Sequence, residues 1–122
     1  MEIEILDFDL TISKVGSISD IDFNLDFYFI SKTDEEISIV SKTSKTPKNT
    51  TARSDGWRAF RISGILDFSL VGVLADISAI LCRNKISIFA LSTYNTDYIL
   101  VKKEDFKKAL ACLEDSGYSP KN

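Results

Sequence analysis

The chain is 122 residues long, with 15 Lys+Arg against 18 Asp+Glu, a net charge of −3, no histidine and two cysteines. That length suits one domain, or one and a fraction. Without histidine, no Ser-His-Asp or Cys-His nucleophilic site and no His-based metal site can be assembled within one chain, and two cysteines cannot make a four-thiolate site. A mildly acidic chain without a strong basic cluster is also a poor candidate for nucleic-acid binding.

Three stretches differ in composition: residues 1–41, 42–56 and 57–122. The first opens on Met1-Glu2-Ile3-Glu4, which lacks the basic start and apolar core of a signal peptide. No run approaches the roughly 18 apolar residues of a membrane span, so a cytoplasmic protein is expected. Apolar and polar residues alternate here, and Phe8–Ser13 reads as a strand. Gly16–Asp20 follows, too short for a three-turn helix. Ile30-Ser31, the acidic Asp34-Glu35-Glu36 and Ile37–Val40 then read as strand, turn, strand.

Residues 42–55 contain a single apolar residue, Ala52, and carry Lys42, Lys45, Lys48 and Arg53 against Asp55. They are predicted to form a polar, basic linker, a solvated loop or a docking site for an acidic partner.

From Trp57 the signals strengthen. Trp57–Ser63 alternates like a strand. Leu70, Val73, Leu74, Ile77 and Leu81 recur at helical spacing, with Asp67 or Ser69 as the cap and Asn84 as the left-handed residue past the end. Ile86–Leu91 and Tyr98–Val101 form a hairpin around Thr93–Asp97. Their strands are apolar on both faces, which predicts that both faces are covered, by the N-terminal stretch or by a second chain. Phe106, Ala109, Leu110 and Leu113 mark a second helix that Gly117 ends, with Tyr118 opening a short last strand. The order β-α-β-β-α is that of a ferredoxin-like α+β sandwich. Cys82 and Cys112 read as two buried thiols rather than a disulfide.

The N-terminal hairpin aligns without gaps on the second, Ile30 on Leu91 through Val40 on Val101, so the first stretch reads as a degenerate copy that has lost its helix.

The run Leu66–Leu74 followed by Ile86–Val101, with its Ser92-Thr93-Tyr94-Asn95-Thr96-Asp97-Tyr98 core, closely resembles the ACT domain, and within it small tandem-ACT proteins akin to amino-acid sensors and aspartate kinase regulatory domains. The resemblance covers residues 57–118 well and 5–41 loosely. It implies a βαββαβ fold, a degenerate N-terminal half-repeat at 1–41, a linker at 42–56 and a full domain at 57–122. It also implies side-by-side pairing, as in a homodimer, and a small amino acid bound at a domain or subunit interface. Carried over residue by residue, the ligand site would comprise Leu70, Val71 and Gly72 at the helix start, Thr93, Tyr94, Thr96 and Asp97 in the turn, and Ser38 and Ile39 in the first repeat.

The residue chemistry is compatible with that site. A helix start offers N–H groups to a carboxylate, Gly72 permits close backbone approach, Asp67 or Asp97 can accept an ammonium, and Thr93 and Thr96 add hydroxyls. Each also has a structural role open to it: Asp67 as a cap, Gly72 in helix–sheet packing, Asp97 in shaping the turn, Tyr94 in an interface, Leu70 and Val71 in a core. No nucleophile, metal or cofactor motif appears, so the expected function is non-catalytic ligand sensing without a cofactor. The alternative is an oligomerisation module that binds no ligand.

Overall fold

The computed structural model describes residues 1–63 and 72–122. Its strands are β1 (Glu2–Val15), β2 (Tyr28–Lys32), β3 (Ile37–Lys42), β4 (Thr50–Ile62), β5 (Ile88–Ser92), β6 (Asp97–Lys102) and β7 (Ser119–Lys121), and its helices are α1 (Val73–Arg83) and α2 (Phe106–Asp115). Two compact units result: Phe8–Trp57, and Met1–Asp7 with Arg58–Asn122. Here they are the N-terminal and C-terminal units.

Two strands are long enough to serve both. β1 and β4 run antiparallel. In the C-terminal unit Ser63 N donates to Glu2 O at 3.0 Å, and Arg61 reaches Glu4 at 2.9 Å. In the N-terminal unit Asp55 meets Thr11 at 2.6 Å and Thr51 meets the Lys14 carbonyl at 3.4 Å. The N-terminal unit has the strand order β2-β3-β1-β4, and the C-terminal unit β5-β6-β4-β1, with β7 parallel to Glu2–Glu4 on the outer side of β1. The ferredoxin-like α+β architecture holds, with one change of occupant. In the C-terminal unit the place beside the β4 segment is filled by the start of β1, and the expected last strand, β7, sits one position further out.

The C-terminal unit is built on helix periodicity. α1 buries Ile77, Ile80 and Leu81, and α2 buries Phe106, Ala109 and Leu113, each a single stripe. These pack with Phe60, Ile62, Ile99, Val101 and Ile3 in one cluster. Leu100, on the opposite face of β6 from Ile99 and Val101, is also fully buried, so both faces of this strand are covered as its sequence requires. β5 is only partly so, and its Ala90 is exposed.

Several local expectations are corrected. α1 begins at Val73 with Gly72 as its cap residue, at φ 89°; Asp67 and Ser69, expected as caps from the sequence, lie outside the described residues. At its far end the left-handed residue is Lys85 (φ 60°), not Asn84. Asn84 stays near-helical because its side-chain amide donates to the Ile80 carbonyl at 2.8 Å, and the Schellman bonds Ile86 N to Leu81 O and Lys85 N to Cys82 O follow one residue later. α2 ends in the same motif at Gly117, φ 99°. Cys82 is exposed and Cys112 half-buried, and both are free thiols. Cys82 lies on the outer side of α1, beside the buried Leu81.

The basic stretch 42–55 is not one loop. Thr43–Lys45 forms a 3-10 turn and Thr50–Asp55 is already strand. Only Thr50 and Ser54 of this segment are half-buried and the rest are exposed, so no clear alternation betrays it, and pairing with β1 imposes the extended form.

The hairpin of the N-terminal unit matches that of the C-terminal unit in form, in a register one residue from the expected alignment. β2 and β3 match β5 and β6 at a constant shift of 60 residues, with the same burial pattern along β3 and β6. The pairings Lys32 with Ile37 and Ser92 with Asp97 confirm it. Ser41 therefore corresponds to Val101 and Ile39 to Ile99. Only a 3-10 turn, Ile18–Asp20, stands where the first helix of the repeat would be.

Candidate functional site

Thr93–Thr96 is a tight turn held by its own threonines. Thr93 N donates to Thr96 O at 2.8 Å, and Thr96 N donates to Thr93 Oγ1 at 3.3 Å. Thr96, buried, turns its hydroxyl onto the Ile62 carbonyl at 3.0 Å. The turn is thereby fastened to the end of β4, the point from which the chain leads on to α1. Asp97 is half-buried and accepts from Ser92 Oγ at 2.6 Å across the last strand pair. Tyr94, at the tip, is 79% exposed.

Gly72 provides the left-handed turn into α1, where a residue with a Cβ would be strained. Among the described residues no side chain caps this helix, and its first backbone bond is Asp76 N to Gly72 O at 2.8 Å. The N–H groups of its first turn thus point out of the helix start with the positive end of the dipole behind them.

Asp76, in that first turn, accepts from the Tyr118 hydroxyl at 2.6 Å, which ties α1 to the segment before β7. Burial first, and then this bond, push the Tyr118 phenol up to about 12. The folded state therefore favours the protonated phenol. The bond's contribution is complete below pH 10, the ordinary value, and is lost as pH rises through about 12. Tyr118→Phe is expected to cost about 1 kcal/mol at neutral pH. It should also flatten the decline in stability between pH 10 and 12, which urea unfolding of both proteins across that window will measure.

Of the residues singled out from sequence, Thr93, Thr96 and Asp97 come together at the end of β4, with Tyr94 at the tip of the same turn. Gly72 marks the start of α1. Asp67, Leu70 and Val71 lie outside the described residues. Ser38 and Ile39 sit on β3 in the N-terminal unit, Ser38 half-buried and opposite Ser31, Ile39 buried.

Sequence reasoning missed Ser63. Its hydroxyl, directly after β4, is buried and makes no hydrogen bond among the described residues. As the last polar residue of an alternating strand it carried no distinguishing pattern. Nearby, Arg61 bridges Glu4 and Tyr98, and these partners, Tyr98 foremost, hold its guanidinium above its ordinary range against the opposing effect of burial. Among the described residues no cluster of three or more His, Cys, Asp or Glu side chains is arranged to hold a metal ion, and no helix is long and apolar enough to cross a membrane.

The sequence profile of the ACT domain matches residues 52–115. No curated protein matches the chain significantly. Among solved structures, protein Atu0741 from Agobacterium tumefaciens is similar with a TM-score of 0.84 and 28% identity over 98% of this chain and 91% of that one. VC0802 from Vibrio cholerae, described as of unknown function and a possible transport protein, gives 0.73 and 21% over 93% and 88%. The regulatory subunit of aspartate kinase from Thermus thermophilus gives 0.67 and 8% over 94% and 96%, a likeness of fold.

Proposed function

The chain belongs to the ACT domain family, and from that we propose that it is a non-catalytic regulatory protein that binds a small amino acid where the segment after β4 runs into α1. The observation that carries this reading is the start of α1: a left-handed glycine, and first-turn N–H groups that no side chain caps among the described residues, suited to a carboxylate. The turn fastened beside the end of β4 brings Thr93, Thr96 and the Asp97 carboxylate to receive an ammonium. The buried Ser63 hydroxyl, which has no hydrogen-bond partner among the described residues, adds a donor on the same stretch of chain. Asp67 and the backbone of Leu70 and Val71 are assigned to the same site, with Tyr94 facing a second copy of the chain in a cytoplasmic homodimer. Sharing a fold with aspartate kinase regulatory subunits is in keeping with such a role.

A thermal-shift panel of the free amino acids tests it. At a hundredfold excess over its Kd a ligand stabilises by about 2.7 kcal/mol, which raises Tm by several degrees. At least one amino acid is expected to do so, and Asp97→Ala should remove most of the shift. Uniform silence at millimolar concentration would defeat the proposal. If sedimentation then showed concentration-dependent association, the oligomerisation reading would stand instead, as the projecting Tyr94 favours.

A further inference from the structure

The face of the N-terminal unit that lacks a helix is not filled as its counterpart is. In the C-terminal unit Val101 and Ile99 of β6 pack in the cluster that α1 and α2 complete. At the corresponding positions of β3 stand Ser41 and Ile39. Ser13 and Thr11 lie opposite them on β1, on the same face, so small polar side chains occupy a surface that elsewhere carries bulky apolar ones. The chain from the 3-10 turn at Ile18–Asp20 onward crosses this face and leaves a recess of about 310 Å³, within the range of small-ligand pockets.

The recess has three kinds of wall. Ile21, Leu25 and Ile39 line its apolar sides. Asp20 and Asp22 face it along one segment, and Lys45 and Lys48 along another, so both signs of charge border it. Its deep wall includes Ser41, which is 0% exposed and whose hydroxyl has no hydrogen-bond partner among the described residues. Thr11, on the neighbouring strand, is also fully buried, but its hydroxyl is satisfied by Asp55 and Thr43 at 2.6 and 2.9 Å. A buried hydroxyl left unpaired beside open space is an uncommon and unfavourable arrangement that an occupant's polar atom would relieve.

We infer that this recess is a second binding site, for a small zwitterion whose apolar body carries one further hydrogen-bonding group. The carboxylate would lie toward Lys45 and Lys48, the cationic group toward Asp20 and Asp22, the body between Ile21, Leu25 and Ile39, and the extra group on Ser41. Two chemical sources meet this description, a hydroxylated α-amino acid and a hydroxylated betaine.

Two near-isosteric pairs separate them and isolate the Ser41 contact: L-threonine against L-valine, and L-carnitine against γ-butyrobetaine. Each is titrated into the isotopically labelled chain while amide shifts are followed by NMR. The hydroxylated member of one pair is expected to move amides of residues 20–28 and 39–48, and to bind at least about tenfold tighter than its partner, because a site built around a hydroxyl discriminates against its absence. Ser41→Ala should abolish that preference while leaving the melting temperature unchanged or raised, since it deletes an unsatisfied hydroxyl. Shifts confined to residues 72–76 and 92–97 would overturn this inference while supporting the site at α1. Equal affinities within both pairs, or no shift from any of the four at millimolar concentration, would also overturn it. The full amino-acid panel with Asp97→Ala tests the α1 site separately, and its failure would leave this inference standing.

Discussion

Phe60→Ala is expected to lower the stability of the chain by about 3–5 kcal/mol, the usual range for deleting a buried aromatic ring. Phe60 is 0% exposed in the middle of the cluster that joins β4 to both helices. It shares that buried cluster with the stripes of α1 and α2 and with Ile3, Ile62, Ile99 and Val101, so the surroundings have little freedom to close over the void. Against a typical total of about 5–15 kcal/mol, the loss removes a large fraction of the stability. Urea unfolding should show a much lower midpoint at an unchanged slope. A drop smaller than about 1.5 kcal/mol would mean that the cluster is not the tightly packed core described above.

The second large effect is a contrast between equivalent positions. Ile99 and Ile39 occupy the same place in the two hairpins and are 0% and 2% exposed. Ile99→Ala should cost about 3–4 kcal/mol, because truncation leaves a closed void inside the helix-packed cluster, and such voids add to the transfer cost in proportion to their volume. Ile39→Ala should cost only about 2 kcal/mol, because the side chain borders an existing recess and its loss enlarges open space rather than creating a sealed cavity. Denaturant unfolding of the two variants side by side measures the difference. Equal losses would show that the recess is packed shut in solution.

Much of the C-terminal unit is legible in the sequence because its signals are periodic. Ile77, Ile80 and Leu81, and Phe106, Ala109 and Leu113, fall on helical stripes, and the hairpin around Thr93–Thr96 is bounded by turn residues. The likeness of the two hairpins is legible too, but its register is not. Matching Ile30-Ser31 to Leu91-Ser92 by residue likeness slips the alignment by one, and in a strand a slip of one exchanges the faces. That is why Ser41 cannot be recognised from sequence as the counterpart of a core valine.

The strand at Thr50–Asp55 is hidden for a different reason. Its side chains are polar and mostly exposed, so neither hydrophobicity nor alternation marks it, and a distant strand determines its conformation. Of the candidate sites, the turn and Gly72 are readable from their residue types. The hydroxyls of Ser63 and Ser41 are not, because what distinguishes them is the lack of a partner among the described residues in three dimensions.

The long reach of β1 has a consequence for how the chain must be handled and how it folds. The C-terminal unit borrows Glu2–Asp7 as a structural strand, and the contact of Arg61 with Glu4 spans 57 residues. The matched family stretch is therefore not a separable cassette. A fragment cut to it would begin at residue 52, shed Glu2–Asp7 and leave an unpaired flank on β4, an invitation to aggregation. The helices and hairpin of the C-terminal unit can form from local contacts, but its sheet cannot be completed until Glu2–Asp7 return to it across that long loop. Closure of this sheet is therefore a late event. During synthesis Glu2–Asp7 must wait, unpaired, until Arg58–Ile62 has left the ribosome.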